Sequence, residues 1–557
     1  VKDWLATNGK QLVVDSHGTV HIVFLRQNAQ NKSWNVFYMN NYEGLWGESI
    51  PLTNSSKEDT SFGWCSFEVD SNDKIHVVIQ KNIKENNTWT YSKILYFNNV
   101  SSYFNQSIYV SPDTIYANQP SFALDNCNNS HISYIKDDNI SGSGTICYTN
   151  NISDEFSDFI ELPLSGNRVM AQALDIDSNG NAHIVYREDL GNPFPTSIGI
   201  KYVNNVNGTF GLPTIIAIGN LSQPFIFIDK NDNIHITYSG VDSADVEDNS
   251  NYSRYLFYVK GSFDNFELPV KVIELGKGGV TDARPSLSVG FSGVHISYVN
   301  YSNVWETFYI NNLDGNFNNS VILKSGPYVA GMPSIFLGPF GFIHALHENT
   351  NNGSNNIELF YSKSSESIDT PVPVELSLFE AKALKNSVKL FWVTQTETNV
   401  FGFDIEKSID CRYFYKIGFV KGNGTTTTSH SYYFEDSEIT TGINYYRLKQ
   451  IDDNGSFEYS YTINVFLNLP NNFFLHQNYP NPFNSTTFIS FDVPKKSNIN
   501  LTLYNLVAKK INIITNREYQ AGKHKILFNA TNLTSGLYFY RLETDGFTDI
   551  KKMIFLK

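Results

Sequence analysis

Apolar and polar residues alternate along most of the chain in short runs, broken at close intervals by Gly, Asn, Asp or Pro. Such alternation predicts half-buried strands, and no stretch holds the 3.6-residue period of an amphipathic helix. One phrase recurs. Its clearest copy runs from Asp177 through Gly180 to His183-Ile184-Val185-Tyr186. Related copies sit at Asp15/Gly18/His21-Ile22-Val23-Phe24, Asp70/His76-Val77-Val78, Asp125/His131-Ile132-Ser133-Tyr134, Asp229/His235-Ile236-Thr237-Tyr238, Gly293/His295-Ile296-Ser297-Tyr298 and Gly341/His344-Ala345. The histidines stand at 21, 76, 131, 183, 235, 295 and 344, so they are 55, 55, 52, 52, 60 and 49 residues apart. A steady period in this range predicts a repeat architecture.

Each repeat reads as four strands. In the third, Pro120 to Asp125 is a first strand, Asn126 to Ser130 a turn, His131 to Ile135 a second strand, Thr145 to Thr149 a third and Phe159 to Leu162 a fourth. The third strand returns as Val36-Phe37-Tyr38, Ile94-Leu95-Tyr96, Ile200-Lys201-Tyr202, Leu256-Phe257-Tyr258, Thr307-Phe308-Tyr309 and Leu359-Phe360-Tyr361. Four antiparallel strands in about 50 residues make a propeller blade. The expectation is an all-β chain with a seven-bladed β-propeller over residues 1–365. Asp3 to Leu5 are expected to close the ring as the outer strand of the last blade, because an open ring leaves unpaired edges. Residues 366–373 read as a polar, proline-bearing linker. Beyond it the period stops, and residues 374–466 carry strand patterns such as Val388-Lys389-Leu390-Phe391-Trp392 and turn signals such as Asp453-Asn454-Gly455. These predict a β-sandwich, with a second, smaller one over 470–557.

Composition narrows the picture. Lys+Arg 41 against Asp+Glu 55 gives a net charge of -14, which argues against a nucleic-acid partner, since that needs a basic face. No apolar run reaches the length of about 18 residues that crosses a bilayer. The chain begins Val1-Lys2-Asp3 with neither Met nor a hydrophobic signal core, so a leader is expected to have been removed. The four cysteines, Cys65, Cys127, Cys147 and Cys411, lack metal or redox spacing. Cys127 and Cys147 share one repeat and form the candidate pair.

The run Phe474-Leu475-His476-Gln477-Asn478-Tyr479-Pro480-Asn481-Pro482-Phe483-Asn484 resembles the opening of the type A C-terminal sorting domain of the type IX secretion system of Bacteroidetes-type bacteria. The likeness continues through Ile499 to Asn505, Ala521-Gly522-Lys523-His524, Ser535-Gly536-Leu537-Tyr538-Phe539-Tyr540 and the closing Lys551-Lys552-Met553-Ile554. Val507 or Ala508 stands where that family often has glycine. The resemblance implies export to the cell surface or beyond, the secretion translocon as a partner, and a sorting signal built on Asn478, Tyr479, Pro480, Asn481, Pro482, Phe483, Asn484, Gly536, Tyr538, Lys551 and Lys552. The block over 374–466 is similar to the fibronectin-type-III-like modules that precede such tails, through Gly402-Phe403-Asp404-Ile405-Glu406 and Tyr446-Arg447-Leu448-Lys449-Gln450.

The candidate chemistry is sparse. Asp177, Asn179 and Asn181 imitate a calcium loop, but Ala182 stands where such a loop needs glycine, so a self-capping turn is expected and no metal. The repeated histidines keep one strand phase and no nucleophile travels with them, which predicts a shared structural hydrogen bond. The binding rim should then lie opposite the Asp-Gly turns. Trp34, Trp89 and Trp305 precede third strands and fall on that rim, where flat rings stack on sugars or anchor a protein. Arg168 and Arg284 precede first strands and join them as candidate ligand-binding residues, with Gln119 and Gln223 in like positions. The propeller segment has only Arg26, Arg168, Arg187, Arg254 and Arg284, lacks the Ser-x-Asp-x-Gly-x-Thr-Trp box of sialidases, and shows no carboxylate pair of glycosidase spacing. Binding of a glycan or surface protein is expected, without a cofactor or catalytic residues; a structural subunit capable of self-assembly and a sialidase-like hydrolase are the alternatives.

Overall fold

In the computed structural model the chain is described except at residues 1–2, 6–9, 31, 56–59, 86–87, 101–103, 105–106, 113–115, 138–143, 153–154, 165–167, 192–196, 243–252, 278–282, 291, 302–304, 327–332, 351–356, 369–375, 385–386, 412, 456, 468–469 and 471. It divides into two compact units, Val1–Val372 and Pro373–Lys557.

In the first unit, alternation and closely spaced turn residues produce antiparallel strands throughout. Among the described residues seven sheet segments follow one another, each built around one copy of the histidine phrase. In the third, Tyr116–Leu124 pairs with Ser130–Asp137, which pairs with Gly144–Asn150, which pairs with Ile160–Glu161. The fourth and fifth are joined at one edge, where Thr214–Leu221 pairs with Ile234–Asp242. The seventh has three strands among the described residues: Ser334–Leu337, Ile343–Thr350 and Ile357–Lys363. This is a propeller-like, all-β arrangement in which each first strand lies innermost.

Neighbouring innermost strands are tied by hydrogen bonds. Ser121 Oγ accepts from Leu174 N–H at 3.0 Å, Asp175 Oδ2 from Ile228 N–H at 2.8 Å, and Ser286 Oγ from Ile335 N–H at 3.2 Å. The same kind of contact joins the last repeat to the first, because Gln11 N–H donates to Ser334 Oγ at 3.4 Å. Leu5, Leu12, Val14, Val20, Ile22 and Phe24 of the first repeat share a core with Leu346 of the seventh.

The closing strand departs from expectation. Asp3–Trp4 pairs with Val20–Gln27 of the first repeat, in the register Asp3 opposite Arg26 and Trp4 opposite Leu25. It extends the innermost strand of its own blade and does not serve as the outer strand of the seventh. The physical reason is a bidentate ion pair: Arg26 donates from Nε and Nη2 to the Asp3 carboxylate at 2.7 and 2.9 Å.

The second unit contains two sandwiches with separate cores. In one, the sheet of Leu376–Ala383, Val388–Thr394 and His430–Asp436 faces a sheet that includes Glu397–Ser408 and Gly442–Asp452, around Trp392, Phe403, Tyr432 and Tyr446. In the other, Thr486–Val493 and Gly522–Asn529 face Ser497–Tyr504, Gly536–Thr544 and Phe547–Phe555 around Phe491, Leu501, Tyr540 and Met553. The Cys127–Cys147 pair is not made. Cys147 is a buried free thiol, as is Cys65, and it sits opposite Tyr134 in mid-strand, whereas Cys127 lies in the turn.

Candidate functional site

The histidine phrase builds a hydrogen-bonded frame. In each repeat histidine Nδ1 meets the hydroxyl of the third-strand tyrosine: His21 with Tyr38, His76 with Tyr96, His131 with Tyr148, His183 with Tyr202, His235 with Tyr258, His295 with Tyr309 and His344 with Tyr361, all within 2.5 to 2.8 Å. In the first five repeats Nε2 meets the turn aspartate, Asp15, Asp70, Asp125, Asp177 or Asp229, at 3.1 to 3.3 Å. Each such carboxylate also caps its own turn. Asp177 Oδ1 accepts from Asn179 N–H and Asn181 N–H, and Oδ2 from Asn181 Nδ2, which leaves little capacity for a cation.

Burial alone would raise these carboxyls. The histidine and the turn's own N–H groups more than reverse it, holding Asp15, Asp70, Asp125 and Asp177 below the usual carboxylate range and Asp229 at about 2. A depressed folded-state pKa contributes stability above the unfolded value of about 4 and loses it as pH falls through the folded value. For Asp229 alone this is about 2 kcal/mol lost between about pH 4 and about pH 2. Denaturant melts across that window are expected to show a shallower decline for Asp229→Asn than for the wild type; parallel declines would contradict the frame. The seventh phrase has Gly338 in the aspartate's place, and there burial, with Lys363 adding to it, holds His344 down at about 4.

The turns also bind one another. Their left-handed position is filled by Gly18, Asp73, Asn128, Gly180, Asp232 and Gly341, with φ between 57 and 83°. Where that residue has a side chain, it holds the serine of the preceding turn. Asp73 accepts from Ser16 N–H and Oγ, Asn128 exchanges two hydrogen bonds with Ser71, and Asp232 accepts from Ser178 N–H and Oγ. At the seam Gly18 has no room for a side chain, since a Cβ there would come within 2.9 Å of the Phe340 ring of the seventh repeat. Asp15, His17 and Asp73 come within ligand distance of one another, but Asp15 and Asp73 are committed to these turn contacts.

Sequence reasoning missed an aromatic ladder on the same side. Phe104, Phe156, Phe210, Phe266 and Phe317 each place a ring edge against the tyrosine of the preceding repeat, with centroids 4.9 to 5.4 Å apart. Trp46 of the first repeat does the same to Tyr361 of the seventh at 5.3 Å. The signal was present: each of these rings except Phe266 stands five residues after the second Asn of an Asn-Asn pair.

The predicted rim residues lie at the other end of the strands. Trp34 pairs with Gln27, Trp89 with Lys84 and Trp305 with Tyr301, whereas the histidines of those strands pair with Asn40, Asn98 and Asn311. Six residues of strand separate His21 from Gln27, about 20 Å. Trp34 is half-buried against the core shared by the first and second repeats, and Ser61 Oγ accepts from its N–H at 3.1 Å. Trp305 is half-buried; the Trp89 side chain lies outside the described residues. Arg168 is exposed at the start of the fourth innermost strand, and its carbonyl accepts from Asp189 N–H. Arg284 is half-buried with φ 43° and acts electrostatically on Glu348 of the seventh repeat. Gln119 N–H donates to Gln80 Oε1, and its carbonyl accepts from Gln172 Nε2. These groups share one end of the propeller and belong to different repeats.

In the terminal sandwich the sorting residues are knitted together. Asn478 N–H donates to Tyr540 Oη, Asn478 Nδ2 to Thr487 Oγ1 and the Pro480 carbonyl, and the Phe483 backbone exchanges hydrogen bonds with Ile554 and Leu556. The Tyr479–Pro480 and Asn481–Pro482 bonds are cis. Tyr479 is left 80% exposed, so this loop offers an aromatic ring to solvent.

Residues 477–556 match the family described as the secretion system C-terminal sorting domain. The chain thus carries the tail of a protein sent to the cell surface or extracellular space of Bacteroidetes by type IX secretion. No curated protein matches it. Similar solved structures include the polysaccharide lyase Uly1, at 9% identity over 64% of this chain and 89% of that one with a TM-score of 0.42. They also include the GH93 alpha-L-arabinofuranosidase of Fusarium graminearum, at 9% identity over 65% and 98% with a TM-score of 0.38, and the NanB sialidase of Streptococcus pneumoniae, at 12% identity over 65% and 69% with a TM-score of 0.35. Likenesses this distant carry no weight for activity.

Proposed function

We propose that the chain is an exported binding protein. A closed seven-bladed propeller over 1–365 presents a carbohydrate- or protein-binding rim, a fibronectin-III-like sandwich over 374–466 spaces it, and residues 470–557 are read by the translocon. The observation that carries this is the commitment of the histidine side to its own frame: its aspartates, serines and tyrosines hydrogen-bond to one another. The ligand is placed on the opposite rim, which bears Trp34, Trp89 and Trp305 with Arg168 and Arg284. Trp34 does double duty in this reading, its inner edge sealing two repeats and its outer edge meeting the ligand.

A glycan array probed with the wild type and with Trp34, Trp89 and Trp305 changed to Ala tests it. Binding that the triple variant loses is the expected result; equal binding by both proteins, or none by either, sinks the glycan reading. A second reading, a subunit of a surface layer or filament, is favoured by the fourth strands, which expose Ile50, Ile108, Ile160, Ile215, Val270 and Val321 around the outer edge. Sedimentation of the purified protein separates the two, since a binding module stays monomeric and a subunit polymerises.

A further inference from the structure

In three repeats the side chain four positions after the repeat histidine accepts a backbone N–H from the inner edge of the next repeat. Gln80 Oε1 takes Gln119 N–H at 3.0 Å, Ser239 Oγ takes Ala283 N–H at 3.1 Å, and Glu348 Oε2 takes Leu5 N–H at 2.8 Å. The task is the same in all three, but Gln80 and Ser239 are neutral at every pH near neutrality and Glu348 is not. It is also the one at the seam between the seventh and first repeats. We propose that this seam is a proton-operated clasp, shut while the Glu348 carboxyl is neutral and loosened when that carboxyl ionises.

The surroundings favour the neutral form. Glu348 is 2% exposed and Leu5 wholly buried among Leu12, Val14, Phe24 and Leu346. Among the described residues, the charged group acting on Glu348 from the sixth repeat is Arg284. On the N-terminal segment Asp3 is engaged with Arg26. His347 points to the other side of its strand, stacked on Phe360, and the neighbouring Lys324 acts on it. Burial therefore dominates and pushes Glu348 up to about 8, with the Leu5 N–H and Arg284 pulling it only part of the way back. A raised folded-state pKa contributes stability that is full below the unfolded value and is lost as pH rises through the folded one. His347, held down at about 4, stays neutral across the same window.

The test is amide hydrogen exchange on the full chain from about pH 6.5 to about pH 9.5, corrected for the intrinsic pH dependence of exchange. Leu5 and the strand Leu12–Val14 are expected to exchange about 10-fold faster at the upper pH, while Val169–Ile176 of the fourth repeat holds its rate. Glu348→Gln, which installs the acceptor used at Gln80, is expected to keep the seam at one rate throughout. Equal acceleration of both strands in the wild type, or the same seam acceleration in Glu348→Gln, would overturn the proposal. Should the variant fail to fold, the comparison of the two wild-type strands decides alone.

Discussion

Replacing Lys10 by methionine is expected to destabilise the first unit by about 3 kcal/mol, more than any rim substitution. The Lys10 ammonium is hydrogen-bonded to Glu68 on the innermost strand of the second repeat and stands 3.8 Å from Asp175 on that of the fourth. It thus ties repeats that are not neighbours in sequence, on the inner side of the ring. Burial alone would lower its pKa, but Asp175 and Glu68 together raise it. Burial likewise raises Glu68, and Lys10 only partly restrains it. Without the ammonium, two carboxyls whose side chains are 14% and 12% exposed face each other with no cation between them. The Glu68 carboxyl, already raised by burial, would then rise further, so the deficit is expected to shrink as pH falls below about 5 and Glu68 takes up a proton. Denaturant melts at neutral and acid pH measure both quantities. A loss below about 1 kcal/mol, or one that grows in acid, would show that the triad does not brace the ring.

Much of the fold was legible because it is periodic. The His-x-x-Tyr phase gives the second strand, the third-strand tyrosine gives its partner, and the Asp turn gives the hairpin between the first two strands. The reading of the histidines as structural is borne out atom by atom in the His131–Tyr148–Asp125 relay. The tail was legible for a different reason: its loop uses Asn478 and two prolines at fixed places, and those side chains hold its shape.

What stayed hidden depends on neighbours that periodicity does not name. Lys10 and Glu348 break the repeat pattern, and their importance comes from which repeats they touch. The strand Asp3–Trp4 was assigned to the wrong blade because the expectation rested on edge-filling alone, whereas the Arg26 guanidinium opposite Asp3 decides the pairing. The Asn-Asn pairs were visible but unread. Their second asparagine caps the second strand, as Asn41 Oδ1 does for Val20 N–H and Asn151 Oδ1 for Ser130 N–H, and the ring five residues on reaches the repeat before. The rim resisted for the opposite reason. Trp34, Trp89 and Trp305 share a place at the start of the third strand, so spacing gives their end of the strand and not their use.

The claim on which the rest depends is that the seven phrases frame one closed ring, because closure is what leaves a single rim opposite the turns. It is tested most directly by deleting the seventh repeat, residues 334–363, and following unfolding of the remaining propeller segment by calorimetry. In a closed ring the deletion removes Ser334 from Gln11, Glu348 from Leu5, Phe340 from Gly18 and Tyr361 from Trp46. The first and sixth repeats then both expose buried faces, and the cooperative transition of the propeller segment is expected to disappear. In an open array a terminal repeat contributes only its own interface. Survival of the other six repeats with a melting transition within about 5 °C of the wild type would contradict the closed ring.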